Sequence, residues 1–185
     1  MGSLTEIQHS IVVGSLLGDG AMRCKKNALL EINHCYEQRE YVDWKHRHLS
    51  EFVGTGPKAR AGNGRRIAYR FTTLSHEVLT PYHRAFYSSG PKSVPQIELT
   101  PMMLAVWFMD DGSKSYRTVY LNTQQFGLAD QQRLMTMLAE QFGIQSRINR
   151  DKCYYRLRLA VASVSLFKEI VRPHILPVFE YKLPS

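Results

Sequence analysis

The sequence predicts an α+β fold made of two similar halves, each running helix, hairpin, helix, hairpin, helix. Three observations carry this expectation. Two apolar segments end alike: Ile11-Val12-Val13-Gly14-Ser15-Leu16-Leu17-Gly18-Asp19-Gly20, and Leu104-Ala105-Val106-Trp107-Phe108-Met109-Asp110-Asp111-Gly112. A lysine with a proline close behind follows each acid, 73 residues on from Asp19 to Lys92 and 71 from Asp111 to Lys182. Between these markers, apolar residues alternate with polar ones at the period of half-buried strands. We read a degenerate duplication, with a first half at 1–90, a linker at 91–98 and a second half at 99–185.

Both apolar segments have helix starts. Thr5-Glu6-Ile7-Gln8 is a capping-box pattern, and Thr100-Pro101 places a cap before a proline in the first turn. Gly20 and Gly112 are plausible terminators. These helices are apolar nearly all round, so they should be buried, most economically against each other. Gly14, Ser15, Gly18 and Ala105 would let two backbones approach closely. Lys25-Lys26-Asn27 and Ala61-Gly62-Asn63-Gly64 read as turns between strands. Helical patterns fill 39–52, 76–88, 130–142 and 165–171. Strands alternate over 66–72, 145–149 and 154–161.

The chain has 185 residues, 44% of them hydrophobic and 22% charged, enough for a real core. Its 24 basic and 16 acidic residues leave a net charge of +8, which points to a polyanionic partner, nucleic acid before membrane. No apolar run approaches the roughly 20 residues of a membrane span. The start lacks a basic leader region, and Glu6 sits where a myristoylation signal wants Ser or Thr. Cys24, Cys35 and Cys153 are odd in number and lack metal-binding spacing. A reduced, intracellular protein without a zinc finger is expected.

A carboxylate in the last turn of a helix opposes the macrodipole, by a few tenths to about 1 kcal/mol. Doing so twice, at equivalent points of a repeat, calls for a reason. Free helix-end carbonyls and an Asp side chain together suit a hard cation such as Mg²⁺. Packed side by side, the two helices would bring Asp19 and Asp111 together, and the pair would repel unless divalent metal bridged them. Such a site suits phosphoryl chemistry, with Lys92 and Lys182 adding positive charge. A lone Asp-Gly is usually a turn and a lone lysine a solvated side chain; the matched spacings raise these residues above that. Outward strand faces carry Arg66 and Arg70, Arg147 and Asn149, and Arg156 and Arg158. They read either as solvated surface or as a face that bonds guanine edges. His34-Cys35 and His46-x-His48 lack zinc spacing and are assigned to core or surface; Trp107 and Phe108 are assigned to the core.

The two segments resemble the motif of the LAGLIDADG homing endonucleases, in the single-chain branch with two motif copies. Leu99-Thr100-Pro101-Met102, Trp107-Phe108-Met109-Asp110-Asp111-Gly112, Leu121-Asn122-Thr123-Gln124 and Tyr181-Lys182-Leu183-Pro184 are the more specific part of the match. The resemblance covers the chain from about Glu6 to Pro184. It implies two αββαββα halves, with motif helices packed at the centre and antiparallel sheets forming a DNA-binding saddle. It implies that Asp19 and Asp111 bind metal, with the carbonyls of Gly18 and Asp110 offered beside them, and that Lys92 and Lys182 are basic active-site residues. Asn122 and Gln124 would lie near the second site. Arg66, Arg70, Arg147, Asn149, Arg156 and Arg158 become candidate DNA contacts, with Arg23, Lys25 and Arg60 behind them. The first motif departs from the consensus opening at Val12-Val13-Gly14-Ser15 but keeps its acid.

The resemblance further implies a monomer that cuts both strands of a long asymmetric duplex site with Mg²⁺ and leaves short 3′ overhangs. Mn²⁺ should substitute, and Ca²⁺ should support binding without cleavage. The protein would reside wherever its target genome lies, a bacterial or archaeal cytoplasm or an organelle. An RNA-splicing maturase acting on intron RNA, and a DNA-binding regulator that does not cut, remain open on the same scaffold.

Overall fold

Two motif helices form the spine of the computed structural model, which describes residues 3–62, 64 and 66–184. Asn63, in the expected connection at 61–64, and the first two residues lie outside the described residues. The first half runs α1 (Glu6–Leu17), β1 (Ala21–Cys24), β2 (Ala28–Cys35), α2 (Arg39–Leu49), β3 (Lys58–Ala61), β4 (Ile67–Thr72) and α3 (Thr80–Phe86). The second runs α4 (Pro101–Asp111), β5 (Gly112–Ser115), β6 (Thr118–Leu121), α5 (Leu128–Phe142), β7 (Ser146–Asp151), β8 (Tyr154–Leu159) and α6 (Val164–Val171). Each half is therefore αββαββα, with short 3₁₀ turns between elements.

Local chemistry sets the ends. Thr5 Oγ1 accepts from the Gln8 backbone while the Gln8 side chain accepts from the Thr5 N–H, closing the capping box of α1. Thr100 Oγ1 accepts from the Met103 N–H ahead of Pro101. The hairpin β1–β2 turns at Lys25-Lys26-Asn27 with Cys24 opposite Ala28. Sheet order is β1-β2-β4-β3 in the first half and β5-β6-β8-β7 in the second, every pair antiparallel. Because side chains alternate along strands, register decides which residues share a face. Arg70 stands opposite both Asn33 and Lys58, and Arg158 opposite both Tyr120 and Arg147. The intervening Leu30, Ile32, Phe71, Leu121, Leu157 and Leu159 are buried beneath.

α1 and α4 pack together more extensively than any other helix pair. Ile11, Val12, Leu16, Leu17, Leu104, Val106, Trp107 and Phe108 are fully buried. Burying one such large apolar side chain contributes about 1.5–3 kcal/mol, so this seam supplies much of the core. The contact is close because it is lined by glycine. A Cβ on Gly14 would lie 2.5 Å from Val106 Cβ and 2.8 Å from the Met103 carbonyl.

Residues 91–98 form no helix or strand but are held against α5. Val94 is buried, its carbonyl accepts from Arg133 at 2.5 Å, and the Ile97 carbonyl accepts from Gln141 at 3.0 Å. This hold delivers Lys92 to the spine.

Gly14→Ala is expected to cost about 1–3 kcal/mol by overpacking the seam, and Gly14→Val more. Urea unfolding of the two variants checks this; equal stability to the parent chain would contradict the close approach.

Candidate active site at the joint of the motif helices

The two motif helices end against each other. A Cβ on Gly18 would overlap Asp110 Cβ, so only glycine admits this contact. Asp19 follows Gly18 out of α1, and Asp111 is the last residue of α4. Gln125 ties the two ends together. Its Nε2 donates to the Gly18 carbonyl at 2.9 Å and to Asp111 Oδ2 at 3.2 Å, so oxygens from opposite halves converge on one small group.

Both motif lysines reach the helix ends. Lys92 Nζ donates to the carbonyls of Gly18 at 2.9 Å and Gly20 at 2.8 Å. Lys182 Nζ donates to the carbonyls of Met109 at 2.6 Å and Asp110 at 3.3 Å. Each ammonium thereby satisfies carbonyls at a helix end, and Lys92 also holds the Gly20 carbonyl just beyond α1.

The carboxylates are electrostatically frustrated. Asp111 is pushed up to about 8, by burial first and then by the charges of Asp19 and Asp110. Asp19 is also raised, by burial and then Asp110, although its side chain keeps 48% exposure and Lys45, Lys182 and Lys92 pull the other way. Burial holds Lys92 down to about 8 against three nearby aspartates, and lowers Lys182 as well. The donors here are all oxygen: two carboxylates and the carbonyls of Gly18 and Asp110. That set fits a hard divalent cation, whose charge would relieve the repulsion. No cluster of three His, Cys, Asp or Glu side chains suited to metal occurs among the described residues, so any ion here would lean on backbone oxygen.

Asp110 has a second role that sequence reasoning missed. Its side chain is fully buried against the first half. There Oδ1 accepts from Tyr41 Oη at 2.6 Å and Lys45 Nζ at 2.7 Å, with His34 Nε2 at 3.7 Å. Asp110 Oδ2 has no partner among the described residues. Burial and the Lys45 charge hold His34 down to about 4. A signal for this cluster was present: Lys45 interrupts the buried stripe Tyr41, Val42 and Leu49 of α2, an expensive place for an unpaired charge. Gln125 was missed as the neighbour of Gln124, which instead donates to Asp151 at 2.9 Å. Asn122 lies between Ser113 and Arg156, donating to the first and accepting from the second.

The outer sheet faces carry the expected bases. Arg23, Arg60, Arg66 and Arg70 are exposed in the first half. Lys25 is exposed in the β1–β2 turn, and Arg23 pairs with Glu31 at 2.5 Å. In the second half Arg147, Asn149, Arg156 and Arg158 share one face, where the Arg156 guanidinium lies 4.0 Å from the centre of the Tyr120 ring. That cation–π contact presents a flat, stiffened donor group.

Two pseudo-symmetric αββαββα halves with paired acidic helix ends and basic sheets define a two-motif LAGLIDADG protein. Residues 9–167 match the LAGLIDADG DNA endonuclease family, and the chain belongs to it. The homing endonuclease I-WcaI, solved bound to its DNA recognition sequence, superposes with a TM-score of 0.90 at 25% identity, covering 99% of this chain and 88% of that one. The cytochrome b mRNA maturase bI2 of Debaryomyces hansenii is 29% identical over 94% of this chain and 72% of its own length. The probable intron-encoded endonuclease 1 of Wickerhamomyces canadensis is 27% identical over 98% of this chain and 85% of its own. The chain spans about half the length of the mycobacterial RecA proteins it also matches. No helix among the described residues is long and apolar enough to cross a membrane.

Stability without divalent metal should depend on pH in a defined way. A folded pKa raised from 3.8 to about 8 means that folded Asp111 holds a proton the unfolded chain has released, so stability falls as pH rises through that window. His34, lowered from 6.5 to about 4, opposes this below pH 6.5, and Lys92, lowered from 10.5 to about 8, opposes it above pH 8. Melting temperature should therefore drop between about pH 6.5 and 8, and added Ca²⁺ should remove the drop. Separately, Lys45→Met should cost about 3–5 kcal/mol by stranding Asp110, and Asp110→Asn in the same chain should recover most of it. Chemical denaturation of the single and double variants checks this.

Proposed function

We propose that this protein is a monomeric, site-specific DNA endonuclease that hydrolyses both strands of a long asymmetric duplex with Mg²⁺ and leaves short 3′ overhangs. The observation that carries the reading is the convergence of Asp111 Oδ2 and the Gly18 carbonyl on Gln125, within the field of Asp19, at the joint between two basic sheet faces. Support comes also from I-WcaI, a homing endonuclease seen on its own recognition DNA, whose fold is shared over nearly the whole chain.

In this reading Asp19 and Asp111 hold the metal, each site serving one strand across the minor groove. A bound divalent cation would supply a nucleophile at neutral pH and offset charge on the departing oxygen. Lys92 and Lys182, fixed on helix-end carbonyls, place positive charge where the scissile phosphates come to lie. Arg66, Arg70, Arg147, Asn149, Arg156 and Arg158 read or grip the duplex through the major groove, with Arg23, Lys25 and Arg60 at the edges. Mn²⁺ substitutes for Mg²⁺, and Ca²⁺ supports binding alone. Side-chain identity between the halves is poor outside the motifs, so the target is not a palindrome. The protein acts wherever that target genome resides.

A second reading, an intron RNA maturase, is favoured by the likeness to the maturase bI2. A regulator that binds DNA without cutting is the third. The presence of both acids and both lysines favours the nuclease over either.

Selection on randomised duplex DNA, bound in Ca²⁺ and then released to Mg²⁺, separates the three. A nuclease yields one enriched asymmetric site with a fixed stagger. Enrichment without Mg²⁺-dependent ends leaves the regulator, and preference for structured RNA over any duplex leaves the maturase. With the target in hand, Asp19→Asn and Asp111→Asn are expected to abolish cutting while sparing binding. Arg156→Ala should cost about 1–3 kcal/mol at one base position and leave other positions unchanged. Unchanged binding to every sequence would remove Arg156 from the reading face.

A further inference from the structure

The two motif carboxylates are backed by different chemistry. Behind Asp19 stands the charged cluster of His34, Tyr41, Lys45 and Asp110, the last contributed by the opposite half. Behind Asp111 stands a neutral one. Gln131 is buried and donates to the carbonyls of Phe126 at 3.2 Å and Tyr155 at 2.8 Å, while Thr123 Oγ1 donates to its Oε1 at 3.1 Å. This pins the turn that carries Gln125 onto Asp111 Oδ2. The places correspond. Extending the β1–β2 register sets residue 33 opposite Asp19, and the β5–β6 register sets residue 122 opposite Asp111, so His34 and Thr123 are equivalent positions.

The charged cluster has a direction. An ammonium can only donate, so the 3.5 Å contact from Lys45 Nζ makes His34 Nε2 the acceptor. The ring hydrogen then lies on Nδ1, which faces Asp19 Oδ2 at 3.7 Å. Tyr41 packs on the imidazole with ring centres 5.2 Å apart and also bonds Asp110, which holds the cluster together. Outer partners of this kind fix the orientation of a ligating side chain.

We propose that Lys45, Asp110 and His34 are positioning residues chiefly for Asp19, and that Gln131, through Gln125, chiefly positions Asp111, so that the two strands of one target are cut at separately set rates. This rests on the endonuclease reading. It assigns the balance between the two cuts to side chains buried behind the acids.

The test follows each strand separately, end-labelled, in single-turnover cutting of the selected target with Mg²⁺. The paired variant Lys45→Met with Asp110→Asn keeps the buried site neutral and folded, and Gln131→Met perturbs the other side. The ratio of the two strand rates should move by about tenfold, in opposite directions in the two variants. Equal slowing of both strands, or a shift in the same direction, overturns the proposal. His34→Asn serves as a second variant should the paired one melt without cooperativity, and it should shift the ratio as the paired variant does. A metal-free readout accompanies these: long-range ¹H–¹⁵N spectra should show His34 with hydrogen on Nδ1 in the parent chain and lose that preference in the paired variant. Hydrogen on Nε2 in the parent chain overturns the proposal. If the parent chain cuts neither strand, the endonuclease reading itself fails; if it cuts with an unmoved ratio in every variant, only the positioning proposal does.

Discussion

Everything at the candidate site depends on how closely two helices can end against each other. Gly14 and Gly18 let α1 approach α4 until backbone meets side chain, and that closeness carries Asp19 and Asp111 into one another's field. The seam is apolar and fully buried for most of its length, so it can absorb repulsion at its end without losing the fold. The strain is local and electrostatic. A chain selected for stability alone would have no cause to place two acids at two electronegative helix ends.

The lysines show how the remaining cost is managed. Helix-terminal carbonyls need partners, and Lys92 and Lys182 supply them from residues more than 70 positions away in sequence. Lys92 arrives because 91–98 is fastened to α5 by Arg133 and Gln141. The segment expected to serve as a linker thus acts as a strap. It couples the positioning of one half's lysine to a helix of the other half.

Much of this was legible in the sequence because periodicity and spacing are properties of one chain read in order. The motif helices, their caps at Thr5 and Thr100, the turn at 25–27 and the alternating faces of 66–72 and 154–159 follow from local rules. Gln125 was not legible, because only the fold of the 123–126 turn decides which of two adjacent glutamines faces the acids. The motif resemblance points to the Asp110 carbonyl beside Asp111 but carries no signal for where the Asp110 side chain goes. Adjacent residues on a helix point about 100° apart, so these two neighbouring acids enter different environments. Lys45 illustrates the limit from the other side: its place in an apolar stripe signalled a buried partner, but not that the partner would come from the opposite half.

The frustrated acids at the helix joint are, in this reading, the place of a divalent cation. The most direct measurement is a crystal structure with the selected duplex in Mn²⁺ under conditions that prevent cutting, with anomalous scattering used to locate the ions. Peaks are expected within about 2.0–2.6 Å of Asp19 or Asp111 carboxylate oxygens, with the Gly18 and Asp110 carbonyls completing the contacts. An ordered duplex across both sheets with no anomalous peak at these acids would contradict that placement.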